Sequence, residues 1–333
     1  MKITLNLDKK IFDLCFDGDT RQELSSLVDI VGEVDEKISL EKLKKNLKEC
    51  EGCIAGWNSI SFTKEVLDTA PKLKVIFFAC GSVKPYITDE VWKRGIKVTS
   101  AVNVNAIPVA EFTLGMILLS LKNVFKYNNE LHEKGPKAWR KTFSKDNVPG
   151  YYKSTVGIVG FGQVSKHLIK LLQLFDLNIL IYSKHLPDEE ADRLKIKKVS
   201  LDELMTKSDV ITVHAANIPQ NRHLINKEML SKIKNGATII NTSRGPLIDE
   251  EALINELKTE RIYACLDVFN NEPPPEESEF YKLKNCIITP HIAGSINNEC
   301  YRLGQQVLKE IKHYLAGEKF DIEITKEAIE TIA

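Results

Sequence analysis

The chain has 333 residues, enough for about two domains that each bury a core of their own. Lys+Arg and Asp+Glu number 46 each, so the formal net charge is zero and no nucleic-acid or membrane partner is expected. Seven cysteines, an odd number set mostly among apolar neighbours (Phe78-Ala79-Cys80, Ala264-Cys265-Leu266, Cys286-Ile287), argue against a disulfide framework and for a reducing cytoplasm.

From the N-terminus, charges at Lys2, Asp8, Lys9 and Lys10 leave no apolar core of signal-peptide length, and no stretch reads as long enough to span a bilayer. Short β-type runs at 3–7, 29–34, 54–56, 75–79 and 96–100 alternate with helical patterns, which predicts a parallel α/β domain over residues 1–102. Thr20 with Glu23 forms a capping-box pattern, and Ser39 precedes a Leu/Lys helix. Cys50-Glu51-Gly52-Cys53 has C-x-x-C spacing but no second pair, and it falls where a helix gives way to a strand; a plain turn is expected rather than a metal or redox site. Two loops, Gly56-Trp57-Asn58-Ser59 and Cys80-Gly81-Ser82-Val83, follow strands. Glycine there lets backbone N–H groups face an anion such as a carboxylate, the alternative being ordinary strand-ending turns.

Residues 108–124 read as a long apolar helix (Val109, Phe112, Leu114, Met116, Ile117, Leu121) opened by Pro108 in its first turn. Residues 126–152 are polar and mixed, and Tyr127, Trp139, Phe143, Tyr151 and Tyr152 have no core of their own. An arm used in a two-fold homodimer is expected.

The densest signal lies between Ser154 and Lys184. Thr155-Val156-Gly157-Ile158-Val159 reads as a buried strand that runs into the turn Gly160-Phe161-Gly162-Gln163; a helix with Val164, Leu168, Leu172 and Phe175 on one face follows, then a second strand over 178–182. Gly160 allows the tight turn, Gly162 lets the backbone approach a pyrophosphate, and the N–H groups of the helix start at Gln163 and Val164 supply donors. Two positions depart from the usual fingerprint: Ser165 stands at the third glycine and Ser183 where an acidic residue is customary.

Further βα alternation brings strands at 210–213, 238–241, 263–268 and 286–289, so six parallel strands are predicted from Thr155 to Thr289; Ser200 with Glu203 caps the helix before the first of these. A final helix over about 297–315 would return to the first domain. Three loops follow the later strands: Asn241-Thr242-Ser243-Arg244-Gly245, Asp267-Val268-Phe269-Asn270-Asn271-Glu272-Pro273 and Thr289-Pro290-His291-Ile292-Ala293-Gly294. They carry an arginine, acids and a histidine to the carboxyl ends of the strands, the edge along which a dinucleotide lies, and hydride transfer to a carbonyl needs that set. His132, His167, His185, His223 and His313 show no metal-ligand spacing, and no metal is expected.

These motifs, with Val109-Ala110-Glu111 upstream of the glycine turn, resemble the D-isomer-specific 2-hydroxyacid dehydrogenase family, of the phosphoglycerate dehydrogenase and hydroxypyruvate reductase kind, over nearly the whole chain. The resemblance implies an α/β fold of two doubly wound parallel-sheet domains: a discontinuous, flavodoxin-like substrate domain (1–102 and 295–333) and a Rossmann NAD(P)-binding domain (103–294). It implies that Arg244 holds the substrate carboxylate and carbonyl, that His291 is the acid/base, and that Glu272 binds the other imidazole nitrogen. Asp267 would meet the nicotinamide carboxamide, Thr113 would lie along the cofactor with Gly294 nearby, and Gly81 and Ser82 would offer backbone donors to the substrate carboxylate. One departure is Ala215-Ala216 after His214, where the family often continues with proline. The chain ends soon after the return helix, so the extra regulatory domain of some phosphoglycerate dehydrogenases is not expected.

The activity implied is NAD(P)-dependent interconversion of a small 2-oxo acid and its D-2-hydroxy acid; glyoxylate, hydroxypyruvate and phosphoglycerate remain open as substrates. The alternative is a dinucleotide-sensing binding protein like the corepressors that share this fold. At the end of the second strand, Ser183 removes the repulsion that a carboxylate would exert on a 2′-phosphate, while Lys184 and His185 add positive charge, which favours NADP slightly over NAD.

Overall fold

The computed structural model describes residues 1–139 and 148–329. The chain divides into two compact units, Met1–Pro108 together with the stretch that begins at Gly294, and Val109–Ala293. These divisions stand at 108/109 and 293/294, against 102/103 and 294/295 in the sequence reading.

In the first unit, strands β1 (Lys2–Asn6), β2 (Asp29–Val31), β3 (Gly52–Ala55), β4 (Val75–Phe78) and β5 (Lys97–Ser100) are all parallel, in the order β2-β1-β3-β4-β5. That is the flavodoxin-like order. A two-residue strand, Glu323–Ile324, adds to β5 in antiparallel sense, so this sheet is not purely parallel as expected. Successive residues of a strand point to opposite faces: Val75 and Phe77 of β4 join a cluster with Ile3, Phe16, Leu303 and Val307, while Ile76 and Phe78 join another with Leu47, Phe62 and Val91. Both faces are covered, which is why the inner strands are continuously apolar.

The first long helix differs from expectation. It runs Val102–Leu121, so Pro108 sits inside it rather than at its start. Proline has no N–H to give to the carbonyl four residues back, and the helix continues through that missing bond. At 20 residues it is long and apolar enough, by length and composition, to cross a bilayer, which corrects the expectation that no stretch is. The error came from starting the helix at the proline. Ala106, Val109, Ala110, Ile117 and Leu121 are buried in the fold. Asn123, in the left-handed region at φ 49°, separates this helix from the next, Val124–Lys134. In the expected arm, Trp139 and Tyr152 are 78% and 70% exposed, Tyr127 is partly buried, and Phe143 lies outside the described residues.

Among the described residues the second unit holds seven parallel strands: β6 (Thr155–Val159), β7 (Asn178–Tyr182), β8 (Lys197–Lys198), β9 (Val210–Val213), β10 (Thr238–Asn241), β11 (Tyr263–Leu266) and β12 (Cys286–Ile288). Their order, β8-β7-β6-β9-β10-β11-β12, is that of a Rossmann sheet with one more strand at the far edge. Six of these were expected; β8, two exposed residues long, carries too little pattern to read. Ile239 and Ile240 of β10 enter opposite cores, one with Ile211, Leu230 and Leu253, the other with Val156, Leu168 and Ile181.

Among the capping expectations, Ser39 and Ser200 cap their helices, accepting from the Lys42 and Glu203 N–H groups. Thr20 does not: the cap is Asp17, whose carboxylate accepts from the Thr20 N–H, and Thr20 lies in the first turn. An aspartate three residues earlier satisfies the same orphan donors. Cys50 and Cys53 are buried, free thiols at a helix-to-strand turn; burial pushes Cys50 up to about 11 and Cys53 higher still.

Candidate active site

The glycine turn links β6 to the helix Gln163–Leu172. Gly160 has φ +102°, and a Cβ on it would lie 2.6 Å from the Ala215 nitrogen at the end of the neighbouring strand, so only glycine fits. Gly162 is the helix N-cap, offers no side chain to the first-turn N–H groups, and has nothing within 4 Å of where its Cβ would be. Uncapped donors at Gln163 and Val164 and open space at Gly162 fit a dinucleotide pyrophosphate. Ser165 is buried and its hydroxyl donates to the Gly160 carbonyl at 2.9 Å, so the serine ties helix to turn where the fingerprint has a third glycine.

At the end of β7, Ser183 is buried and its hydroxyl accepts from the His185 N–H at 3.2 Å, while Lys184 and His185 are exposed. Among the described residues no carboxylate stands at this strand end in place of Ser183. His214, at the end of β9, is buried; its Nε2 meets the Thr212 hydroxyl at 2.8 Å, and burial pulls it down to about 3, so it is neutral.

The three later loops leave one sheet edge because Asn241, Leu266 and Ile288 are aligned in register across β10, β11 and β12. Asn241 shapes the first loop: its Oδ1 accepts the Ser243 N–H at 3.0 Å and its Nδ2 donates to the Arg244 carbonyl at 2.9 Å. Arg244 in turn donates from Nη1 to the Ser243 carbonyl at 2.6 Å. Burial lowers the pKa of its guanidinium, the negative charge of Glu272 opposing, and arginine remains a cation throughout. Gly245 brings this loop against the next, since a Cβ there would lie 2.1 Å from the Phe269 carbonyl carbon and 2.3 Å from the Asn270 nitrogen.

In the second and third loops, Glu272 accepts the Phe269 N–H on Oε1 at 3.0 Å and meets His291 Nδ1 with Oε2 at 2.6 Å. His291 has φ +54°, a left-handed conformation that costs a non-glycine residue about 1–3 kcal/mol and persists only where its surroundings impose it. Asp267 imposes it. Its carboxylate accepts from the Thr289 hydroxyl at 2.6 Å and from the Ile292 and Ala293 N–H groups at 2.9 Å each, and its carbonyl accepts the His291 N–H at 3.0 Å.

Two residues expected along the cofactor are engaged within the loops themselves. Asp267 is 2% exposed and both its oxygens are engaged in building the His291 turn, so it shapes the site from beneath. Thr113 is fully buried, its hydroxyl 3.1 Å from that of Thr242, and supports the Arg244 loop without presenting surface. Gly294 falls just beyond the division between the units.

In the first unit, the loop after β4 turns its carbonyls inward. The Ser100 hydroxyl donates to the Cys80 and Gly81 carbonyls at 3.1 and 2.8 Å, and Cys80 Sγ approaches the Ser82 carbonyl at 3.3 Å. The Gly81 and Ser82 N–H groups find no acceptor among the described residues. Asn105, whose Oδ1 accepts the Ser295 N–H at 3.2 Å, packs its amide against Gly81.

Sequence reasoning missed Asn241 and Glu250 as site-shaping groups. Asn241-Thr242-Ser243 is an Asx-turn pattern that was legible; Glu250, which accepts the Asn270 N–H at 2.6 Å, is 20 residues from its partner and was not. A cavity of about 680 Å³ lies elsewhere in the second unit, at the amino end of β11, lined by Lys126, Tyr127, Glu256, Arg261 and Tyr263. Among the described residues no group of three or more His, Cys, Asp or Glu is arranged to hold a metal.

Residues 114–293 match the family model described as "D-isomer specific 2-hydroxyacid dehydrogenase, NAD binding domain". The chain is 32% identical to D-3-phosphoglycerate dehydrogenase of Methanocaldococcus jannaschii over 302 residues, covering 89% of this chain and 56% of that protein, so it spans about half the length of that relative. It is 33% identical to glyoxylate reductase of Thermofilum pendens, covering 87% of this chain and 86% of the relative. Among solved structures, a phosphoglycerate oxidoreductase from Rhizobium etli superposes with TM-score 0.83 at 25% identity, over 99% of each chain.

Proposed function

Because the chain belongs to the D-isomer specific 2-hydroxyacid dehydrogenase family, we propose that it is an NAD(P)-dependent enzyme that interconverts a small 2-oxo acid and the D-2-hydroxy acid. The observation that carries this reading is the 2.6 Å pairing of His291 Nδ1 with Glu272 Oε2 on the sheet edge that also carries Arg244.

The uncapped helix start after Gly162 would hold the dinucleotide pyrophosphate, and the bound nicotinamide supplies the hydride. Arg244 presents a planar fork that matches a carboxylate and polarises the adjacent carbonyl. With Nδ1 committed to Glu272, His291 offers Nε2–H to the carbonyl oxygen as the hydride arrives at carbon, and takes the proton back in the reverse direction. The Glu272 carboxylate, bonded to Nδ1, fixes the ring orientation that presents Nε2. The Gly81 and Ser82 N–H groups are donors suited to a carboxylate.

For the cofactor, NADPH is used at least as well as NADH. Ser183 leaves no negative charge to repel a 2′-phosphate, and exposed Lys184 and His185 stand beside it. The chain forms a homodimer: Trp139 and Tyr152, within the expected arm, are large and exposed. Light scattering at micromolar concentration should give twice 37.7 kDa, and a clean monomer would refute it. Seven buried free thiols suit a reducing cytoplasm.

The test is a panel of glyoxylate, hydroxypyruvate and 3-phosphohydroxypyruvate, each with NADPH and NADH. Oxidation of cofactor by at least one is expected. Tight dinucleotide binding with no turnover on any would sink the enzyme reading and favour a sensor, which the reductase and dehydrogenase names of the relatives do not favour.

A further inference from the structure

Glu250 lies outside every motif that led to the site, yet it touches the loop on which the acid/base pair depends. It is the first residue of the helix Glu250–Lys258, after the cap Asp249, and its Oε1 accepts the Asn270 N–H at 2.6 Å. Asn270 is the second residue of a four-residue turn, Phe269 to Glu272, whose ends are joined when Glu272 Oε1 accepts the Phe269 N–H. That turn sends the other oxygen of Glu272 to His291 Nδ1.

The same turn has no freedom to move toward the arginine loop, because Gly245 is packed directly on the Phe269 and Asn270 backbone. Phe269 anchors one end of it in the core beside Phe280, and the Glu250 carboxylate holds the next residue, the exposed Asn270. The segment from Arg244 to Glu250 thus grips one short loop at two points: backbone against backbone at Gly245, and carboxylate to N–H at Glu250.

We infer that Glu250 is a positioning residue for the Glu272–His291 pair: by holding the Asn270 N–H it fixes the turn that aims Glu272 at His291. The arrangement is a costly one for a mere surface anchor. Burial raises the pKa of the Glu250 carboxyl, the Asn270 bond opposes this, and the negative charge of Glu272 raises it further. Glu272 and His223 are the ionisable groups that act on it through space, and His223 faces Asp249 at 4.0 Å. A neutral acceptor of the same length would hold the turn as well, so what matters is the place of the oxygen.

The inference rests on the proposed role of His291, and its test uses two independent readouts. The first is steady-state kinetics of Glu250→Ala, Glu250→Asp and Glu250→Gln. The second is the far-downfield proton NMR signal of the His291 Nδ1–H bond, assigned by its loss in His291→Asn and read without turnover. Gln keeps an acceptor oxygen at the same reach, Asp withdraws it by one methylene and keeps the charge, and Ala removes it. Ala and Asp should each lower kcat about tenfold or more, the scale on which small misplacements act, with KM for cofactor within about twofold and the proton signal broadened or lost. Gln should recover most of both. Retention of kcat and signal in Ala, or equal losses in Gln and Asp, would overturn it. If Ala fails to fold, Asp against Gln decides. If the unmodified protein reduces no 2-oxo acid, the proposed function fails on that assay, and the NMR comparison still judges Glu250.

Discussion

His291 and Glu272 act as one unit, joined by a 2.6 Å contact between Nδ1 and Oε2 across two loops that are 19 residues apart in the chain. Removing the imidazole leaves the dinucleotide turn at Gly160 untouched. His291→Ala should therefore lower kcat by about 10²–10⁴, the usual worth of a general acid, while affinity for NADPH, followed by its fluorescence, stays within about threefold. Undiminished turnover would sink the mechanism.

The second prediction concerns the nucleotide. Ser183→Asp places a carboxylate beside the ribose hydroxyls, where it accepts their hydrogen bonds and repels a 2′-phosphate. The ratio of kcat/KM for NADH over that for NADPH should rise by about tenfold or more, corresponding to about 1.4 kcal/mol. A strong NADH preference in the unmodified protein would count decisively against the reading of Ser183 and Lys184.

Gly245→Ala tests the loop contact directly. Its Cβ would stand 2.1 Å from the Phe269 carbonyl carbon, which is backbone and has no rotamer by which to yield. Overpacking of this kind costs about 1–3 kcal/mol. Denaturant unfolding should show that loss, and kcat should fall because the Arg244 and Glu272 loops are pushed apart; a variant as stable and as active as the parent would show the contact to be slack.

His214 makes stability pH-dependent. Its folded pKa is lowered from 6.5 to about 3 by burial, so below about pH 6.5 the unfolded chain takes up a proton that the native state refuses. Stability from this group is thus complete above 6.5 and declines as pH falls toward 3, by up to about 1.4 kcal/mol per pH unit. Urea unfolding at pH 7.5 and 5 should show a decline that is smaller by about 2 kcal/mol in His214→Gln. Equal declines in the two proteins would mean that His214 charges without cost.

The second unit was largely legible because its signals are local. Val156 to Val159, Ile211 to Val213 and Ile239 to Ile240 are apolar runs of strand length, and Gly160 and Gly162 stand at a turn that has a positive φ at the first and open space at the second. Arg244, Glu272 and His291 could be placed on one edge because parallel strands joined by helices all end on the same side. Where two patterns competed, the local rule misled: Pro108 looked like a helix start, and Thr20 like a cap, because each is the commoner meaning of that residue.

By itself, then, the amino-acid order determined the alternation of elements, the strand-end position of the functional loops and the types of residue they carry, all of which follow from periodicity and turn chemistry within a few residues. Tertiary structure alone decided what each group touches. That Asp267 builds the His291 turn, that Thr113 lies under Thr242, and that Glu250 holds Asn270 depend on contacts between segments 20 to 129 residues apart in sequence. A hydrogen-bond partner at that separation is selected by the register of β10, β11 and β12 and by the absence of a side chain at Gly245, neither of which leaves a periodic trace in the chain.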